Sequence, residues 1–298
     1  MSMEMQPNMD TQAAENGEEY TGITRETPVV EEKTVTESPL FKKIDAGIHN
    51  KVTLIDSSFA RYAARSVLAT LFLTLGTAIA FGTAIQAEKV MPGSGKFAFA
   101  FMFSWSLVMI IFMNAELGTS NMLFMTVGVY RHKVNVGKAA KILFTCVLFN
   151  LIGGILFGYL VSLTGPFQNL PADNYMFTGV AAKLAKSTWQ ILVEGMFANI
   201  VVNTAFVINL RMKDDAGKVM AIIFVIFIFA FLGYEHVIAN FPAFSLAFFA
   251  SHGTITGMTF GSILHNLIFA FLGNYIGGAL VIGMTYAWMD KTDSTYVD

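Results

Sequence analysis

The residues able to do chemistry in this sequence sit in two short polar runs inside otherwise apolar stretches. Glu116-Leu117-Gly118-Thr119-Ser120-Asn121 interrupts residues 97–129, and Glu235-His236-Val237-Ile238-Ala239-Asn240 interrupts residues 219–249. Both runs place a Glu and an Asn at the same spacing. An ionisable residue at bilayer depth is a functional candidate by default. A histidine, with an unperturbed pKa near 6.5, can donate a hydrogen bond or relay a proton close to neutral pH. Hydrolytic or metal chemistry would need a nucleophile or ligand partner beside it. The chain has no His-Glu-x-x-His pattern, no Gly-x-Ser-x-Gly elbow and a single cysteine, Cys146. One cysteine excludes an intrachain disulfide framework and a Cys-cluster metal site. These features argue against an enzyme and imply neither metal nor cofactor.

The elements that must hold these runs follow from composition and charge. Of 298 residues, 54% are hydrophobic and 13% charged, about half the charge of a soluble domain. A net charge of −2 excludes a nucleic-acid binder needing a basic face. Apolar segments cover residues 63–87, 97–129, 139–163, 189–210, 219–249 and 262–288, and a spanning helix needs about 20 such residues. The second and fifth are too long for one straight span, and each carries a polar run at its centre. They read as pairs of half-helices joined by irregular backbone, which survives at bilayer depth only when buried in protein or lining a wet cavity. The fold class is an all-α membrane protein with six transmembrane helices, helices two and five broken. Residues 1–39 are polar and acidic and read as a disordered cytoplasmic tail. Residues 40–290 form the transmembrane channel domain, within which 42–51 reads as an amphipathic surface helix, and 291–298 form a short C-terminal tail. Loop charge is lopsided: Arg61, Arg65, Arg131, Lys133, Lys138, Lys141, Arg211, Lys213 and Lys218 fall on one side, against Lys89, Lys96, Lys183 and Lys186 on the other. The positive-inside rule then makes both termini cytoplasmic in a multi-pass protein of the plasma (inner) membrane.

The chain also repeats itself. Asn150-Leu151-Ile152-Gly153-Gly154 matches Asn274-Tyr275-Ile276-Gly277-Gly278, each lying after one of the polar runs. A unit of three spans re-enters the membrane from the opposite side, so the domain reads as two inverted three-helix repeats. Broken helices at corresponding places in such repeats point to a transport site at the midplane. The glycine pairs suit close helix packing.

Glu116-Leu117-Gly118-Thr119-Ser120-Asn121, Gly233-Tyr234-Glu235-His236-Val237-Ile238-Ala239-Asn240 and Leu272-Gly273-Asn274-Tyr275-Ile276-Gly277-Gly278-Ala279 together resemble the signatures of the formate/nitrite transporter family, over roughly residues 40–290. That family includes formate, nitrite and hydrosulfide channels and lactate transporters. The resemblance implies an aquaporin-like protomer assembled as a homopentamer in the lipid bilayer, with one pore per protomer. It puts the family's central histidine on His236 and its partner threonine on Thr119. It puts the outer-vestibule lysine on Lys183, sixteen positions before Asn199, which either holds the pore wall or cross-links helices. Hydrophobic gate positions fall on Phe103, Leu107, Leu117, Val202 and Phe229. Formate channels carry a bulky aromatic residue where this chain has Gly118, which implies a wider constriction with room for lactate.

A permanent anion is costly at the bilayer centre, and low dielectric raises the pKa of a weak acid. The expected substrate is therefore a small monocarboxylate or other monovalent weak-acid anion, taken in by Lys183 and carried together with a proton past His236. Backbone N–H groups near Thr119 and Val237 are expected to face it. A water- or glycerol-type channel for neutral solutes is the alternative.

Overall fold

A computed structural model describes residues 38–290. The C-terminal tail, and all of the acidic tail except Ser38 and Pro39, lie outside the described residues. Those described are helical, with no strand among them.

Helix α1 (Pro39–Ser57) opens on a proline, whose fixed φ suits a first helical position. It is longer at both ends than the surface helix read over 42–51. Leu40, Phe41, Ile44, Ile48 and Ile55 recur at helical spacing and are buried, while Lys42 and Lys43 are exposed. Helix α2 (Phe59–Val90) has 32 residues, so it is about 48 Å long. Helices α3 (Gly95–Phe103) and α4 (Trp105–Phe112) run back as one apolar stretch interrupted at Ser104. Helical geometry stops after Phe112, and α5 (Gly118–Tyr130) follows after Leu117. Helix α6 (Val136–Ser162) starts on an Asn135 cap. A loop segment carries α7 (Tyr175–Leu184), capped by Asn174. Helix α8 (Thr188–Arg211) begins with a Ser187/Gln190 capping box. Helix α9 (Asp215–Leu232) ends on Gly233, whose φ of 74° is the left-handed turn that favours glycine. Then come α10 (Val237–Ala250), α11 (Phe260–Tyr275), a π-helical segment (Ile276–Met284) and α12 (Thr285–Met289). Among the described residues, six helical stretches are long and apolar enough to cross a membrane: Phe59–Val90, Gly95–Phe112, Val136–Ser162, Thr188–Arg211, Asp215–Leu232 and Phe260–Met289. Large apolar side chains exposed along them, such as Phe144, Phe197, Phe224 and Leu280, suit contact with hydrocarbon.

The bundle has two distinct ends. At one, Phe41, Ile44 and Ile48 of α1 pack with Tyr62 at the start of α2 and with Phe124 and Ala139. At the other, Met176, Phe177 and Val180 of α7 pack with Phe81 and Ile85 near the end of α2 and with Phe244. The chain direction brings the basic group from Arg61 to Lys218 to the α1 end. There Arg131 bridges Asp45 of α1 and Asp290 after α12, both at 3.1 Å, tying the two ends of the described chain together. Glycines allow the closest helix approaches. A Cβ on Gly153 would lie 2.9 Å from Val67 O, and one on Gly277 would lie 2.0 Å from Met196 O. Helices α6 and α2, and the π-helical segment and α8, therefore touch backbone to backbone.

Candidate functional site

The two non-helical gaps, before α5 and before α10, are built alike. At the first, Asn150 of α6 accepts the Gly118 N–H at 2.8 Å and donates to Ser66 O at 2.6 Å and Glu116 O at 3.0 Å. At the second, Asn274 of α11 accepts the Val237 N–H at 2.8 Å and donates to Gly195 O at 2.7 Å and Glu235 O at 2.9 Å. Each asparagine thereby satisfies backbone groups that a helix end leaves open. Each glutamate accepts from the asparagine five residues on: Asn121 to Glu116 at 3.0 Å, and Asn240 to Glu235 at 2.7 Å. Lysines of α1, of α7 and of the turn after α7 neutralise them. Lys51 meets Glu116 at 2.6 Å, while Lys183 and Lys186 meet Glu235 at 3.0 and 2.6 Å.

His236 stands at the second gap and is 3% exposed. Its Nδ1 accepts the Ala239 N–H at 3.1 Å, which caps α10. That bond needs the Nδ1 lone pair, so the neutral ring carries its proton on Nε2. Nε2 lies 2.8 Å from Thr119 Oγ1 across the bundle. The imidazole therefore donates to the threonine, and the Thr119 hydroxyl proton is left for another acceptor. Thr119 is itself fixed from behind, because its carbonyl accepts from Asn199 at 3.2 Å and from Asn203 at 3.3 Å.

Cavities approach this pair from both ends. At the α7 end a vestibule of about 320 Å³ is lined by Lys96, Lys183 and Lys186 against one carboxylate, Glu194. Through Phe99 and Lys183 it shares a wall with an inner cavity of about 50 Å³, also lined by Thr77, Phe103, Phe229 and His236. Phe229 packs edge-on to Phe103 with ring centroids 5.8 Å apart, and tilts against the His236 ring at 5.8 Å. At the α1 end a second cavity of about 260 Å³ is lined by Lys43, Lys51, Arg65, Ile110, Glu116 and Ser120 among others. Leu107, Leu117 and Val202 are buried in one cluster with Phe103 and Phe229 and line neither cavity. Along the chain Leu107 of α4 falls between Phe103, which lines the inner cavity, and Ile110, which lines the second.

The residues singled out from sequence thus meet in one place, with three qualifications. Asn199 cross-links rather than faces the cavity: its amide reaches Thr119 O and, at 2.7 Å, Asn274 O. It fits because Gly278 has no side chain; a Cβ there would lie 2.2 Å from Asn199 Nδ2. Gly118 is buried in packing, since a Cβ on it would meet Val147 at 2.8 Å and Asn150 and Ile238 at 3.2 Å. The Val237 N–H points to Asn274 instead of into a passage. Asn150 and Asn274 were not singled out as functional positions, although they head the repeated Asn-x-Ile-Gly-Gly motif. Lys51 and Lys186 gave no such signal, because the buried gap glutamates they meet, Glu116 and Glu235, lie 65 and 49 residues away.

Three comparisons bear on identity. The formate/nitrite transporter family model matches residues 38–288. The nitrite transporter NirC of Escherichia coli strain K12 is 34% identical over 187 residues, covering 62% of this chain and 68% of NirC. Among solved structures, one described as an FNT family ion channel aligns with a TM-score of 0.78 at 25% identity, covering 84% of this chain and 98% of its own. A pentameric formate channel with formate bound aligns at 0.66 and 20% identity, covering 79% and 98%. A multi-pass helical membrane protein with its polar pair at two matching gaps, matched by the family model across nearly its whole described length, this chain belongs to the formate/nitrite transporter family.

Proposed function

We propose that this protein is a channel for small monovalent weak-acid anions, formate or nitrite in size, that carries a proton with each anion. The observation that carries this reading is the buried His236 imidazole, bonded to Thr119 at the base of a small cavity walled by Phe103 and Phe229 and open towards Lys183. Lys96, Lys183 and Lys186 outnumber the carboxylates they face, Glu194 and Glu235, and the surplus positive charge draws in a monoanion. The approach to Phe103 and Phe229 strips its water and disfavours its charge, so it takes up a proton from the solution in the vestibule. The neutral acid then accepts the spare hydrogen of the Thr119 hydroxyl, which His236 orients from the other side. Leu107, Leu117 and Val202 part to let it reach the basic α1-end cavity. A cavity of about 50 Å³ suits formic or nitrous acid better than lactic acid. Gly118, packed on Val147, gives no added room for lactate.

The two gaps are read here as the breaks of membrane helices two and five, in two inverted three-helix halves. The matching bonds of Asn150 and Asn274 support that. The similarity to a pentameric channel supports a homopentamer, and the basic α1 end is assigned to the cytoplasmic face of the plasma membrane. A channel for neutral solutes is not favoured by the family.

Uptake of radiolabelled formate, nitrite and lactate into liposomes, across a pH series at clamped membrane potential, tests the reading. Uptake is expected to rise as pH falls, with formate and nitrite ahead of lactate, and His236→Phe is expected to flatten the profile. A profile unchanged in His236→Phe would reject the role given to the imidazole. Uptake that follows potential but not pH would reject the proton.

A further inference from the structure

The inner cavity contains a polar group that the transport scheme above does not use. Helix α2 carries four threonines, and three of them spend their hydroxyls on their own helix. Thr70 donates to Val67 O at 3.0 Å, Thr74 to Thr70 O at 2.6 Å and Thr83 to Ile79 O at 2.8 Å. The serines facing α2 do the same, Ser104 to Ala100 O at 2.8 Å and Ser106 to Phe103 O at 2.6 Å. Back-bonding of this kind is the ordinary resting place of a helical hydroxyl where no water is at hand. Thr77 is as buried as these, at 0% exposure, yet its Oγ1 has no hydrogen-bond partner among the described residues. It lines the cavity of about 50 Å³ together with Lys183 and His236. A buried hydroxyl left without a partner is costly, so one is retained where something else fills the bond.

We infer that Thr77 is a substrate contact, its hydroxyl donating a hydrogen bond to an oxygen of the acid between Lys183 and Thr119. This rests on the reading of that cavity as the passage. Two hydroxyls, that of Thr77 in the cavity wall and that of Thr119 bonded to His236, then hold an acid that has two oxygens. Hydrosulfide, with one weakly accepting sulfur, gains little from the first. Thr77 is accordingly a selectivity residue favouring oxyacids.

The test compares formate and hydrosulfide uptake by the full-length protein in liposomes, for wild type, Thr77→Val, Thr77→Ala, Thr77→Ser and His236→Phe. Thr77→Val is expected to raise the formate KM about tenfold while changing hydrosulfide uptake by less than about twofold. Thr77→Ser is expected to keep both near wild type. Thr77→Ala, which leaves extra room, should shift the ratio in the same direction and serves if the valine variant does not fold. An unchanged ratio of formate to hydrosulfide in both hydroxyl-free variants would overturn the inference, whether both fluxes stayed high or fell together. If Thr77→Val left the ratio alone while His236→Phe altered the pH profile, only the role of Thr77 would fall. If His236→Phe behaved as wild type, the passage and the Thr77 contact would fall together.

Discussion

At the gap before α5, Glu116 is held by Lys51 and Asn121, and Asn150 holds the helix start. At the gap before α10, Glu235 is held by Lys183, Lys186 and Asn240, and Asn274 holds the helix start. The frames match, but the residues seated in them do not. The position after the glutamate is Leu117 in one gap and His236 in the other; two further on stand Thr119 and Ile238. At these two positions each gap has a polar side chain where its counterpart has an aliphatic one, and those two polar groups bond to each other. A duplicated frame provides position, and departure from the duplication provides chemistry.

Removing an element common to both gaps should have the largest effect. Asn274→Ala strands the Val237 N–H, Gly195 O and Glu235 O in a buried setting, and Asn150→Ala does the equivalent at the first gap. Each is expected to cost about 3–5 kcal/mol, read as loss of folded protein after graded heating in detergent. A large loss from only one of the two would show that the likeness of the frames is superficial.

A smaller effect separates the frames by their charges. Glu235 faces two lysines, whereas Lys51 is the one lysine placed on Glu116 among the described residues. Lys51→Ala should cost about 2–3 kcal/mol, because it leaves a buried carboxylate to Asn121, and Lys186→Ala about 1 kcal/mol, because Lys183 remains. Denaturant unfolding of the two variants side by side should show this order; the reverse order would mean that Glu235 depends on Lys186 more than the shared geometry suggests.

The smallest effect isolates the second duty of His236. His236→Leu copies the first gap into the second and removes the acceptor for the Ala239 N–H, at about 1 kcal/mol. His236→Asn keeps a capping acceptor, so its stability should stay near wild type while its pH response changes like that of the leucine variant. If both variants kept wild-type stability, the cap would carry no weight and the imidazole would serve transport alone.

Much of this was legible in the chain. Apolar length marked the six helical stretches; four differ from the observed ends by a few residues, where caps such as Asn135 and Ser187 set the start, while the second and fifth ran on through α5 and α10. The two polar runs marked the places where α5 and α10 begin, because they could not belong to a uniformly greasy helix. His236, Thr119, Phe103, Phe229 and Lys183 were readable by type and motif, and they meet around one cavity and one hydrogen bond. Less legible were side chains whose meaning lies in their partner. By type Asn199 suits a pore wall and a helix cross-link equally, and only its bonds to Thr119 O and Asn274 O make it a strut. Gly118 reads as a widened constriction but is filled from outside by Val147. Thr77 is one of four threonines on its helix and is set apart only by lacking a bond.

The sequence by itself determined where the chain is apolar, where that pattern is interrupted and which glycines allow helices to touch, because these depend on residue type and near spacing. The tertiary structure alone decided that the His236 imidazole lies against Thr119, 117 residues away, that the two asparagines cap the gaps, and that the lysines are shared with glutamates. The physical reason is that hydropathy is a property of each residue in its own segment. A buried hydrogen bond between helices needs two groups brought within about 3 Å, and only the packing of the whole bundle fixes that distance.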